Sequence, residues 1–429
     1  MTEDFLHYVW KHRLFNSTHL VTTSGASLRI LSSGVHNHNG GPDFLQARVR
    51  IGEQTWVGNV EIHIAASDWK KHGHHTDPMY ATVVLHVVYA DNMPIHLKQP
   101  GDLPVFVMAP YLYDSQWQRY QQWMQHGKGI PCRNQLQRVQ SIVWTSFRDA
   151  LLIERLEQKS QLTLRQLQRT RGDWNEVFYR LLARYFGGKV NGEAMEQLAE
   201  RIPFQLVLRL RSDPFQLMAL FYGQSGLLRE EHTDGYAVEL WKEYQFVAAK
   251  HQLAPPLQLQ WQFFGLRPWS YPTVRMGQMV DLLVNNDSLL QGVLELADLS
   301  DLRKTLVCRA PEYWNRHTMF DRPRSKCAES SLGPAPGDDF IDGLIINAIA
   351  VNLFAYGRHL NDSFCMQRAM LLLELIEVEN NRIIRMWKEL GIGAKHAGDA
   401  QAMIQLYNRY CSEKRCLSCR IGVDILKTT

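Results

Sequence analysis

No stretch of this chain is apolar for long enough to cross a bilayer without interruption. The longest candidate, residues 341–356, is broken by Asp342, Gly343, Asn347 and Asn352, so no membrane segment is expected. The first residues carry Glu3, Asp4, Lys11, His12 and Arg13 and contain no uninterrupted apolar core, which argues against a secretory leader. Cysteine is scarce, at seven in 429 residues. In a long chain without a leader this predicts a cytoplasmic, reducing setting, with thiols free or on metal rather than in disulfides. A strong charge of one sign is also missing: 47 Lys and Arg stand against 43 Asp and Glu, which excludes a protein that is polycationic throughout. No Gly-x-x-x-x-Gly-Lys-Ser/Thr loop, Gly-x-Ser-x-Gly elbow or His-Glu-x-x-His helix occurs. P-loop, serine-hydrolase and zincin chemistry therefore find no support. No repeat period or low-complexity tract is present.

What remains has the composition of a folded chain, 45% hydrophobic and 21% charged, long enough for two to four domains. Residues 2–15 pattern as an amphipathic helix that Thr2 can cap, with Phe5, Tyr8, Val9 and Trp10 near helical spacing. Short β-like runs follow at 27–31, 44–51 and 55–64, the first two separated by a Gly/Asn-rich loop over 34–42. Residues 67–79 are polar and His-rich, a short helix or loop. Residues 81–89 are almost continuously apolar, as in a strand buried on both faces, and 103–109 suggests one more strand. The order predicts an α/β N-terminal domain, α-β-β-β-α-β, over 1–112. A mostly α-helical C-terminal region follows, divided into a basic helical part, 113–254, and a helical part ending in cysteines, 255–429. Between 131 and 211, fourteen Lys and Arg face eight Asp and Glu, which fits either a phosphate-binding surface or a solvated helix face. The stretch 267–275, with Arg267 and Arg275 among aromatics and prolines, fits a rigid turn with paired arginines better than a base-stacking patch.

The histidines are unevenly placed, with eleven of the 17 within residues 1–96. Among them lies Pro42-Asp43, then, after a spacer, Glu61-Ile62-His63. Residues two apart on a strand share a face, so Glu61 and His63 point the same way, and Asp43 opens the neighbouring strand of an antiparallel meander. Two carboxylates brought together this way are costly unless a cation lies between them. A divalent cation is what phosphodiester hydrolysis requires. Asp43 and Glu61 are thus candidate ligands for Mg²⁺ or Mn²⁺, with His63 as base, ligand or source of positive charge. Asp68, His72, His74 and His86 are candidate accessory groups, and His86, inside the most apolar strand, must be hydrogen-bonded or ligated.

The Pro42, Asp43, Glu61 and His63 pattern resembles the PD-(D/E)XK nuclease superfamily, in which a Pro-Asp is followed by an acid-x-Lys on the next strand. The resemblance implies a restriction-endonuclease-like core and metal-dependent cleavage of nucleic acid, with Asp43, Glu61 and His63 as the catalytic set. The departure is His63 where the superfamily has lysine. Over most of its length the chain also looks like an uncharacterised bacterial family of unknown function, of Bacteroidetes type. The residues that carry this are Gly34, Asn37, Gly41-Pro42-Asp43-Phe44, Gly58-Asn59-Val60-Glu61-Ile62-His63, Asp68-Trp69, His72 and His74, then Ile130-Pro131-Cys132, Gly265-Leu266-Arg267-Pro268 and the final cysteines.

Those cysteines are Cys411, Cys416 and Cys419, three soft ligands suited to zinc or an iron–sulfur cluster. Cys132 is the best remote fourth ligand, ahead of Cys308, Cys327 and Cys365. Bound to one tetrahedral zinc, the trio's sulfurs would lie within about 4 Å of one another. The leading expectation is a divergent metal-dependent nuclease acting on DNA or RNA. Two alternatives stand beside it: a catalytically inactive nucleic-acid-binding or scaffold protein, and a His-rich zinc or manganese hydrolase of a small substrate.

Overall fold

Thr2 caps the first helix by accepting a hydrogen bond from the Phe5 amide (3.3 Å), and Arg13, in the left-handed region, ends it. In the computed structural model, residues 1–92, 103–256, 258–286, 288–295, 298–324 and 332–427 are described. The first helix, α1 (Glu3–His12), buries Phe5, Leu6, Tyr8, Val9 and Trp10. Each of these large side chains contributes about 1.5–3 kcal/mol by leaving water, which is what fixes α1 against the sheet.

The chain divides into two compact units, one formed by residues 1–147 with 406–429 and the other by 148–405. The first unit contains a mixed sheet of β1 (Leu28–Ser32), β2 (Val35–His36), β3 (Phe44–Ile51), β4 (Gln54–Ala65), β5 (Val83–Ala90) and β6 (Val105–Val107). Its order is β1-β3-β4-β5-β6, with the short β2 also paired to β3. β1, β3 and β4 form an antiparallel meander. β5 and β6 then join parallel, after a crossover that carries the short helix α2 (Asp68–Lys71). The expected element order is present. The exception is β2, inside the stretch read as loop: Val35 and His36 pair with Leu45 and Phe44, a two-residue extension too short to leave a periodic signal. Gly58 has a clear physical reason. A Cβ there would stand 2.4 Å from the Val84 side chain and 2.7 Å from the Thr82 carbonyl oxygen, so only glycine lets β4 and β5 approach this closely.

The second unit is mostly helical among its described residues. Its most apolar helix, Asp338–Leu360, is long and apolar enough to span a membrane by length and composition, yet 78% of its apolar window is buried inside the fold. Its hydrophobicity is that of a core helix. Towards the C-terminal side of this unit, Ser363–Leu375 and Arg382–Glu389 are separate helices, and Asn381 caps the second through the Ile383 and Ile384 amides. Several charges of the basic stretch 131–211 are internally paired: Arg180 contacts Glu176 at 2.7 Å and Glu200 at 3.3 Å, and Arg184 contacts Glu196. Arg275 likewise lies 3.7 Å from the centroid of the Phe340 ring and donates to Gln278.

Lys159 donates to Asn347 Oδ1 (2.7 Å) and Gln401 Oε1 (3.2 Å). Burial, helped by Arg155 and opposed by Glu379, lowers its ammonium from 10.5 to about 7. A pKa lowered on folding contributes stability above the unfolded value that is lost as pH falls towards the folded one. Stability should therefore drop between pH 10.5 and about 7, with a slope of about 1.4 kcal/mol per pH unit. Chemical denaturation of Lys159→Met across that range should show a flatter pH dependence than wild type; an unchanged slope contradicts the assignment.

Candidate metal centre

The loop before β3 is folded by Asn37. Its side-chain amide donates to the carbonyls of Gly40 (3.2 Å) and Pro42 (3.0 Å), and its backbone N–H to Asp43 O (2.7 Å). Gly41 sits at φ +97°, and a Cβ there would meet the Met79 methyl at 2.9 Å, so the turn requires glycine. Asp43 emerges where two strand ends meet and is locked reciprocally to β4. Its N–H donates to Glu61 Oε2 (3.0 Å), and its own Oδ2 accepts from the Ile62 N–H (2.9 Å). Just beyond, β3 carries a bulge at Gln46, at φ +55°. The Gln46 N–H donates to Asn59 Oδ1 (3.1 Å), while Asn59 Nδ2 donates to Thr82 (2.8 Å). A bulge bends its strand and re-aims the side chains beside it.

β4 places Val60 and Ile62 on the apolar face and Glu61 and His63 on the other. Glu61 is 5% exposed, and His63 and His86 are each 2% exposed; His86 is the register partner of Glu61 on β5. The segment after β4 closes over this polar face. His74 stacks on Tyr80 with centroids 3.8 Å apart, and Trp69 meets His86 at 5.3 Å and His74 at 5.5 Å. Within the enclosure His63 Nδ1 lies 2.9 Å from His86 Nε2, and His63 Nε2 lies 3.2 Å from His72 Nδ1. Glu61 Oε1 is 3.3 Å from His74 Nε2 and 3.6 Å from His63 Nε2. His63, His72 and His74 each offer a ring nitrogen within 4.8 Å of the others, a separation at which one cation can bridge all three.

The electrostatics follow from burial. His63 is held down to about 4, chiefly by desolvation and then by His74 and His72, and His86 to about 3 by desolvation and His63. Both rings are neutral near pH 7. Neutral His63 carries no positive charge and is chemically able to act as a ligand or a base. For Nε2 to offer its lone pair towards Glu61 and His72, Nδ1 must carry the proton and donate it to His86, which fixes the tautomer. Glu61 is pushed up to about 8, first by desolvation and then by the charge of Asp43. A carboxylate beside another carboxylate, with the neutral rings of His63 and His86 next to it, is an environment that a cation relieves.

The structure thus brings Asp43, Glu61, His63, His72, His74 and His86 into one cluster. Asp68 stands at its edge: Oδ2 accepts from the Ala65 N–H (3.1 Å) at the start of α2, a positioning role. His7 was not singled out by sequence. Its Nε2 lies 3.2 Å from Asp43 Oδ2, at ion-pair distance but outside hydrogen-bond angles. Burial lowers His7, but Asp43, Glu3 and Asp4 outweigh that and hold it above its ordinary value. The available signal was an imidazole amid the apolar residues of α1. His7 also lines a cavity of about 1030 Å³ whose walls carry Lys11, Lys414, Arg415, Arg420 and Lys427 against Asp4, Glu413 and Asp424. His12, in the same wall, is lowered to about 4 by burial and then by Lys427 and Lys11. The basic surface beside the cluster is therefore built from the two ends of the chain, apart from the stretch 131–211.

The cysteines Cys132, Cys411, Cys416 and Cys419 are buried and free, as are Cys308 and Cys365; Cys327 lies outside the described residues. Among the described residues the three-ligand group within 4.8 Å is the imidazole trio, and the sulfurs form no such group. One shared tetrahedral zinc would draw such sulfurs closer together than this, with each at about 2.3 Å from the ion.

Mn²⁺ suits nitrogen and oxygen ligands better than thiols, so it reports on the imidazole cluster. Titration followed by electron paramagnetic resonance should give one tight Mn²⁺ per chain. His86→Ala should weaken it by about 10–100-fold, as loss of a group orienting a ligand does. His63→Ala should weaken it further. Equal affinity in all three proteins would remove the site.

Neither a search of curated proteins nor one of solved structures returns a match. A family model described as "Protein of unknown function (DUF2851)" matches residues 3–382, a span that holds Asp43, Glu61, the imidazole cluster and Cys132 and stops before Cys411. With nearly all of its length covered by that model, the chain belongs to the DUF2851 family.

Proposed function

We propose that this protein is a metal-dependent hydrolase of phosphodiester bonds in nucleic acid, with imidazoles taking much of the metal-binding work that carboxylates do in simpler sites. The observation that carries the reading is the convergence of Glu61, His63, His72 and His74, next to Asp43 and beside a basic cavity that shares His7 with the cluster. The antiparallel meander followed by a parallel strand across a short helix, with Asp43 before the second meander strand and Glu61 on the third, supports a restriction-endonuclease-like core.

Glu61, His63, His72 and His74 are the ligands in this reading. Their mixed nitrogen and oxygen donors favour Mn²⁺ or Zn²⁺ over Mg²⁺. A bound ion there supplies Lewis acidity to a phosphoryl oxygen and lowers the pKa of an attacking water. Asp43 holds Glu61 through the reciprocal hydrogen bonds and adds the second negative charge of the site. His86 keeps the His63 lone pair turned to the ion. Lys11, Lys414 and Arg420 in the cavity wall attract the phosphate backbone, whose binding then weakens with salt. The three imidazoles also suit a zinc hydrolase of a small substrate, and the choice of substrates separates the two.

Single- and double-stranded DNA and RNA, with a small phosphodiester ester beside them, should be incubated with Mn²⁺ or Zn²⁺. Cleavage of a polynucleotide is expected, falling by about 100-fold or more in Asp43→Asn and Glu61→Gln, a loss typical of removing groups that stabilise charge in the transition state. Cleavage confined to the small ester points to the alternative, and cleavage indifferent to both substitutions contradicts the site.

A further inference from the structure

Four buried cysteines far apart in the sequence lie within the first unit. Cys132 immediately precedes the turn Arg133–Arg138, which packs against the C-terminal helix Arg420–Lys427. Cys411 ends the helical turn Tyr407–Cys411, and Cys419 immediately precedes the C-terminal helix. All four are buried and none is in a disulfide. Electrostatic coupling links every pair among them: Cys132 with Cys416 and Cys419, Cys411 with the other three, and Cys416 with Cys419.

The backbone between them is tightly turned. Lys414 takes φ +54°, and the Arg415 N–H donates to Tyr410 O (2.8 Å). Gly422 passes so close that a Cβ on it would stand 2.2 Å from the Cys416 carbonyl oxygen. The N–H groups of Ile421 and Gly422, at the start of the C-terminal helix, point at Cys419, the N–H···S contact that stabilises a metal-bound thiolate. The loop is tied down on its other side too, with Lys414 Nζ donating to Met124 O and Arg119 donating to Ile425 O (2.8 Å).

We infer that Cys132, Cys411, Cys416 and Cys419 hold an iron–sulfur cluster. Four buried free thiols in mutual reach are a ligand set for a thiophilic metal. Among the described residues no three sulfurs lie within 4.8 Å of one another, an arrangement that fits a cluster better than one zinc. One zinc draws all four sulfurs to a single point, whereas in a cubane cluster each thiolate bonds a different iron and the sulfurs stand farther apart. Closing a loop from Cys132 to Cys411 also restricts the unfolded chain. The centre has a consequence for its neighbour: Glu413, Lys414, Arg415, Leu417 and Ser418, all between its ligands, line the basic cavity. The cluster would therefore hold part of the phosphate-binding wall in shape.

The test needs no activity and so stands apart from the hydrolase reading. Full-length protein is purified anaerobically, reconstituted with ferrous iron and sulfide if isolated colourless, and assayed for iron, acid-labile sulfide, zinc and visible absorption. The expected result is about four irons and four sulfides per chain, with a brown absorption band. Cys416→Ser should lose most of the iron, while Cys308→Ser and Cys365→Ser, at buried cysteines outside the tetrad, should retain it. One zinc per chain, or no iron before and after reconstitution, overturns the inference, as does iron content unchanged in Cys416→Ser.

Discussion

Strand β4 is buried on both faces over Val60–His63, and only one of those faces is apolar. Val60 and Ile62 meet the layer formed by α1; Glu61 and His63 turn the other way into a space that excludes water. Buried polar groups demand partners, and the rest of the unit's architecture answers that demand. Asp43 is brought to Glu61 by the Asn37-folded turn and the β3 bulge. His86 comes across on β5. The crossover after β4, where apolar residues alone would suffice to cover a sheet, instead delivers His72, His74 and an aromatic lid of Trp69 and Tyr80.

The resulting cluster is satisfied sterically and left unbalanced electrostatically. Desolvation holds His63 and His86 neutral and pushes Glu61 towards its neutral form, so the enclosure contains many lone pairs and few protons to share among them. A divalent cation resolves this in one step, because its charge offsets Glu61 and Asp43 and its coordination sphere takes up ring nitrogens. In the proposed hydrolase a neutral ring at position 63 could join the metal, whereas a buried ammonium there would compete with it.

The N-terminal elements were legible from sequence because their periodicity was undiluted. The apolar run over 81–89 gave the doubly buried β5, and the Glu61-x-His63 spacing put both groups on one face. The Pro42-Asp43 step placed a carboxylate at a strand start. What the sequence could not reveal was tertiary. His7 reaches Asp43 from a helix more than thirty residues earlier, and no local pattern marks that contact. The cavity wall joins Lys11 to Lys414 and Arg420 across the whole chain, so a count of charge along the sequence pointed instead to 131–211, where Arg180 and Arg184 are paired to glutamates. That Cys132, Cys411, Cys416 and Cys419 are all buried in one unit was not legible either, because Cys132 lies far from the trio in sequence.

The central claim is that one divalent cation sits among Glu61 and the three imidazoles. Crystals grown with Mn²⁺ and measured for anomalous scattering test it most directly. The account predicts one strong peak bonded to Glu61, His63, His72 and His74, with His86 behind His63. A peak that avoids these residues, or none at saturating Mn²⁺, would contradict it.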